Sequence, residues 1–267
     1  MNQDQVKEQL LGIEDASMDF TLIFSGKKSK KVNGLYKPET REILIHNKNF
    51  KNDTGDKTDD NLLLYTAIHE YAHHIHACSQ GGKLSVRAHS SEFWAIFHRL
   101  LEKAEAQGIY RNVFQTSPEL VQLTEFIREK YLRENGLLVK EFGMKLLKAH
   151  ELCLAIGGRF EDYIDRVLGI PRMAVKTAIK MHQYDLNPFL GADNMRYLAG
   201  IPNEEKRRAA EQALLAGKSP DTVKTAAAKK PPQEDPKVML EKEKARLERT
   251  IAALTKRLEE VNQELEG

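Results

Sequence analysis

The residues best equipped to do chemistry lie in Ala67-Ile68-His69-Glu70-Tyr71-Ala72-His73, an H-E-x-x-H pattern. On a helix, positions four apart project from one face. His69 and His73 can therefore offer two imidazole nitrogens to one metal ion, with Glu70 beside them as a proton acceptor. This is the arrangement a zinc hydrolase needs, but catalytic zinc takes three protein ligands and leaves a fourth position open to water. The third ligand must come from elsewhere. His89 lies where a returning helix would supply it, and Glu92 is its rival.

Several elements must position these side chains. Asp59 and Asp60 are N-cap candidates, and Leu62, Leu63, Thr66, Ala67 and Ile68 follow at helical spacing with no Pro or Gly before Gly81. After a polar connection from Ser79 to Ala88, the run His89 to Phe97 opens a second amphipathic helix expected to reach about Ala106. Upstream, Phe20 to Phe24 has strand chemistry, and Val32 to Tyr36 with Glu42 to Ile45 reads as a hairpin around Lys37-Pro38-Glu39-Thr40. Together these predict a small antiparallel sheet. The run Lys27, Lys28, Lys30 and Lys31 reads as a solvated loop, with contact to DNA phosphates as its functional alternative, and Asn47 to Asp59 as a polar loop.

Over about residues 15 to 105 the chain resembles the SprT/Spartan group of small zinc peptidases, whose pattern is H-E-x-x-H followed downstream by H-G-x-x-F. The resemblance implies His69, His73 and His89 as the zinc ligands, selecting His89 over Glu92, with Glu70 as general base and Phe93 as a core aromatic. Phe93-Trp94 is also similar to the YgjP-like peptidases. Two departures stand out: Ser90 replaces the family glycine, and the four-cysteine zinc ribbon of some relatives is missing. The resemblance further implies a sheet beside the metal helix whose edge can pair with an extended substrate. His74 and His76 turn away from the shared face and read as surface or outer-shell residues. His46, His98, His150 and His182 have no partner at ligand spacing, so structural or solvent-facing roles are expected.

Lys and Arg number 41 against 39 Asp and Glu, so net charge says nothing about partners. Cys78 and Cys153 fit no disulfide framework, and no stretch approaches the length of a membrane span or a leader, which reads as a cytoplasmic protein without membrane contact. Pro118 to Glu134 is predicted helical, with Leu120, Val121, Leu123, Phe126, Ile127, Tyr131 and Leu132 on its apolar side and a break at Gly136; a further helix runs from Phe142 to Ile156. Then Phe160 to Leu168, a turn at Gly169-Ile170-Pro171, and a helix from Arg172 to Tyr184 have helix-turn-helix spacing. Arg172, Lys176 and Lys180 recur every four residues as a basic face suited to DNA, with Val175 and Ile179 inward. The order of turn residues across about residues 140 to 225 is similar to the helical half of ParB/KorB-like partition proteins. Lys224 to Lys237, with Pro231, Pro232 and Pro236, reads as a linker. Leu240, Lys244, Leu247, Ile251, Leu254, Leu258, Val261 and Leu265 form a coiled-coil seam expected to pair two chains as a homodimer, with docking on the same chain as the alternative.

The expected architecture is α+β: a zincin-type metallopeptidase domain with a short antiparallel sheet (1–110), an all-α helix-turn-helix domain (111–225), a linker (226–237) and a coiled coil (238–267). The expected function is zinc-dependent hydrolysis of DNA-bound or DNA-crosslinked proteins. Two alternatives remain: cleavage of a transcriptional repressor, by analogy with ImmA/IrrE-like peptidases, and a non-catalytic DNA-binding regulator with structural zinc.

Overall fold

The computed structural model describes residues 1–51, 58–81 and 88–228, and single positions between 241 and 258. The chain opens with α1 (Gln3–Ile13), started by a capping box in which Asn2 accepts from the Gln5 N–H and Gln5 reaches back to Asn2. Val6, Leu10 and Ile13, at helical spacing, are buried on one face. Strands β1 (Thr21–Phe24), β2 (Gly34–Lys37) and β3 (Glu42–Ile45) follow. Next comes α2 (Asp60–Ser79), whose N-cap Asp59 accepts from the Leu62 N–H at 2.9 Å. Helix α3 (Ser91–Ala106) returns alongside it, with Phe93, Phe97, Leu100 and Ala104 buried on one face. It starts two residues beyond His89, because the Ser90 hydroxyl caps it by accepting from the Phe93 N–H at 3.3 Å.

The sheet departs from the antiparallel expectation. β3 pairs antiparallel with β2 but parallel with β1, giving a mixed sheet in the order β1-β3-β2. Burial explains the order: Ile43 and Ile45 of β3 are fully buried, so the most apolar strand takes the centre. Gly34 and Lys37 suit β2 to the edge. The lysine-bearing connection from Ser25 to Asn33 carries the chain past β3.

One apolar core joins α1, the sheet, α2 and α3. Glu14, at the end of α1, forms ion pairs with Arg99 and Lys103 of α3. Burial alone would push its carboxyl up, but the two cations outweigh it and hold the carboxyl below the usual range.

Residues 118–155 form a helix without interruption: α4 (Pro118–Phe126), π-type turns over Ile127–Arg133, and α5 (Glu134–Ala155). The expected break at Gly136 does not occur. A Cβ there would collide with the Pro188 carbonyl, so this glycine permits a close backbone approach rather than ending a helix. Gly143 does the same against the Ala178 carbonyl, where α5 packs on α7 (Arg172–Gln183). The apolar side expected for 118–134 is not core: α4 and the π-type turns bury no residue, and Phe126 is 53% exposed.

Between α5 and α7 lies α6 (Phe160–Asp162), continued by π-type turns over Tyr163–Leu168, and Gly169 at φ +64° makes the turn. Val175 is buried and Ile179 half-buried, with Ala178 and Met181 also inward. Helices α8 (Gly191–Ala199), α9 (Glu204–Leu215) and α10 (Pro220–Ala227) complete the region. α10 lies against α3: Lys218 pairs with Glu102 at 2.5 Å and the Thr225 hydroxyl donates to the Ser91 carbonyl at 3.2 Å.

Residues 1–227 thus form one compact unit and 228–267 a second. The helix covers Lys224 to Ala227, the start of the expected linker, and Ala228 is the last residue described before 241. Of the expected coiled-coil seam, Leu240, Leu247, Leu254, Val261 and Leu265 lie outside the described residues, while Ile251 and Leu258 are exposed. Among the described residues, no helix is long and apolar enough to cross a membrane.

The close approach of α5 to α7 can be tested by Gly143→Ala. We expect it to cost about 1–3 kcal/mol in urea unfolding, whereas an unchanged midpoint would contradict the contact.

Candidate metal centre

α2 is buried almost all round, so its polar side chains face protein rather than water. His69 and His73 lie one turn apart on the face toward α3, and His89 arrives from the residue before that helix's cap. The three Nε2 atoms converge: His89 Nε2 lies 3.1 Å from that of His69 and 3.2 Å from that of His73. A tetrahedral ion held by nitrogens at about 2.0–2.1 Å spaces its ligands by about 3.3–3.4 Å. Hydrogen bonds among the rings explain the arrangement less well, since the single His89 nitrogen faces two others at once. The cluster can hold a metal ion.

The surroundings hold the rings in that geometry. His73 stacks on Phe93 at 4.1 Å between centroids, and His89 stacks on Trp94 at 5.5 Å. Phe97 meets the edge of His69. Burial, then the neighbouring His89, pushes His69 down to about 4; burial, then His69, His89 and His76, pushes His73 down to about 3. Both rings are therefore neutral near pH 7, the form that donates a lone pair.

Glu70 is 7% exposed and lies between the histidines and β2. Burial pushes its carboxyl up to about 7, opposed by the Tyr36 backbone N–H, which donates to it. β2 comes so close that a Cβ on Gly34 would lie 2.8 Å from Glu70 Cγ and 3.0 Å from Thr66 Cγ2. His46 N–H donates to the Asn33 carbonyl at 2.8 Å, which fixes the alternation of the β2–β3 ladder. Gly34 and Tyr36 then turn their backbone groups away from β3, to the edge where no described strand pairs. That edge, with Val32, Asn33, Tyr65, Thr66 and the three histidines, lines a cleft of about 500 Å³.

His74 and His76 are not at the surface. His74 is fully buried, donating from Nε2 to the Met18 carbonyl at 2.8 Å and accepting at Nδ1 from the Tyr36 hydroxyl at 3.0 Å. The α2 core is thereby tied to the strand that flanks Glu70. His76 is 2% exposed and lies 3.0 Å from Gln80 Nε2 and 3.6 Å from Glu92 Oε2. Glu92 thus faces His76, outside the three-histidine cluster. His46 bonds Ser25 Oγ at 2.9 Å. Gly34, Tyr36 and Thr66 were not singled out from the sequence; a glycine inside the Val32 to Tyr36 strand pattern was the available signal.

In the helical region, Lys176 and Lys180 are exposed. Arg172 is exposed too, and its Nε donates to Asp165 at 3.0 Å, closing the turn between the two helices.

One family model, whose description carries no function, matches residues 24–79, well under half of the chain. The match runs from the last residue of β1 through β2, β3 and α2, hence covers His69, Glu70 and His73, and stops short of His89. No curated protein and no solved structure matches the chain.

Competitive chelator titration checks the ligand set. His69→Ala, His73→Ala and His89→Ala should each weaken divalent-metal binding more than about a hundredfold, beyond the loss typical of outer-shell partners. Glu92→Ala should leave it unchanged. Equal weakening by Glu92→Ala and His89→Ala would contradict the assignment.

Proposed function

We propose that this chain is a zinc-dependent peptidase that acts on proteins held on DNA. The observation that carries the reading is the convergence of His69, His73 and His89 Nε2 atoms beside the buried Glu70, at the floor of a cleft flanked by an open strand edge. Three imidazoles satisfy the ligand count of a catalytic site and leave one position for water. A structural site would call for a fourth protein ligand and has no use for the carboxylate.

Zinc, when bound, supplies Lewis-acid chemistry that makes water nucleophilic near neutral pH and polarises a peptide carbonyl. Glu70 accepts the proton from the attacking water and delivers it to the departing amine. The Gly34 backbone groups and the Tyr36 carbonyl, which pair with no described strand, offer an extended substrate an edge to pair with beside the histidines, while the Tyr36 N–H stays on Glu70. Gly34 has no side chain to hold that backbone away from Glu70.

Localisation on DNA is supported by the helix-turn-helix spacing of α6 and α7 and by exposed Lys176 and Lys180. Through α10 on α3, that region is joined to the helix beginning two residues after His89.

The test is cleavage of DNA-bound protein by the zinc-loaded full chain and by Glu70→Gln. We expect the variant to keep its zinc and lose at least about a hundredfold in rate, the contribution typical of a general base. Retention of cleavage in Glu70→Gln would overturn the mechanism, and cleavage indifferent to DNA would favour a dedicated repressor substrate.

A further inference from the structure

The connection between β1 and β2 has an unusual charge. No acidic residue occurs between Asp19 and Glu39, while Lys27, Lys28, Lys30 and Lys31 crowd into the loop and are exposed. Among the described residues, none of these four pairs with a carboxylate, which is also true of exposed Lys145, Lys176 and Lys180, but only here do four such lysines fall within five residues. Four like charges at close spacing on one loop raise the local positive potential, which attracts an anionic partner.

The loop is also held in place. Gly26 N–H donates to Asn47 Oδ1 at 2.9 Å, Ser29 N–H to Asn49 Oδ1 at 2.9 Å, and Asn49 Nδ2 donates to the Ser29 carbonyl and to Asn33 Oδ1, both at 2.8 Å. Fixing its backbone in advance lowers the ordering cost of binding. The loop runs directly into Val32 and Asn33, which line the cleft, so the charged ledge and the metal centre share one rim.

We infer that the Lys27–Lys31 ledge binds the phosphate backbone of a nucleic acid and holds it beside the cleft. Lysine binds phosphate as a compact point charge without a fixed geometry, which suits a repeating backbone read without sequence. The inference deepens the proposed function, because a protein bound on that nucleic acid would meet the β2 edge and the histidines together. It assigns DNA contact to the peptidase layer itself, separate from α7.

The experiment uses the zinc-loaded full chain and measures binding to labelled single-stranded and duplex DNA over a range of salt. Replacing Lys27, Lys28, Lys30 and Lys31 by Gln should flatten the slope of log affinity against log salt by about 3 for single strands and about 3.5 for duplex. The corresponding four Lys→Arg changes should restore it, which rules out misfolding as the cause. An unchanged slope in the Gln variant overturns the inference. So does competition by polyglutamate as strong as that by DNA, which would make the ledge a site for acidic peptides. Because binding is read without cleavage, a failure of the peptidase reading would leave this result standing on its own.

Discussion

The structure depends on how it accommodates ionisable side chains in the middle of its core. Glu70, His73, His74 and His76 all lie on α2 and are all buried. A buried polar group without a partner costs on the order of 1–3 kcal/mol, so the helix is tolerable only where partners meet it. His74 finds them in the Met18 carbonyl and the Tyr36 hydroxyl, which draw the α1–β1 connection and β2 onto the helix. His69 and His73 find theirs in the convergence with His89, which a bound cation would complete. The need to satisfy one helix thus brings together the sheet edge, the carboxylate and the returning helix.

Consequences spread outward from that helix. β2 is held where Gly34 touches Glu70, so the open edge of the sheet and the carboxylate share one cleft. On the other side, Ser90 caps α3 and sets where His89 must lie, while Thr225 of α10 grips the first carbonyl of that same helix. The second attachment links the helical region to the backbone beside the third histidine, so a displacement of α10 would be felt there. In this chain the serine at position 90 has a role of its own as an N-cap.

Much of this was legible in the residues. The H-E-x-x-H spacing, the Asp59 cap and the absence of breakers up to Gly81 sufficed for α2, and the preference for His89 over Glu92 came from the family resemblance; the structure brings His89, not Glu92, against His69 and His73. Sheet order was not legible, because strand chemistry identifies β1, β2 and β3 without saying that the most buried of them takes the centre. Gly136 misled for a similar reason: a glycine that ends a helix and one that admits a neighbouring backbone look alike until Pro188 is seen against it. The apolar positions of 118–134 do sit on a helix, but their periodicity says nothing about whether anything covers them. The brace between Arg172 and Asp165 was hidden too, since a basic stripe shows no sign of what bonds each member.

The central claim is that three imidazoles and one open position define the metal centre. X-ray absorption at the zinc edge, on the zinc-loaded full chain, tests it most directly. The account predicts three imidazole nitrogens at about 2.0–2.1 Å, completed by a light non-imidazole scatterer such as water oxygen. A sulfur shell at about 2.3 Å, or a fourth imidazole, would mean a closed structural site and would contradict it.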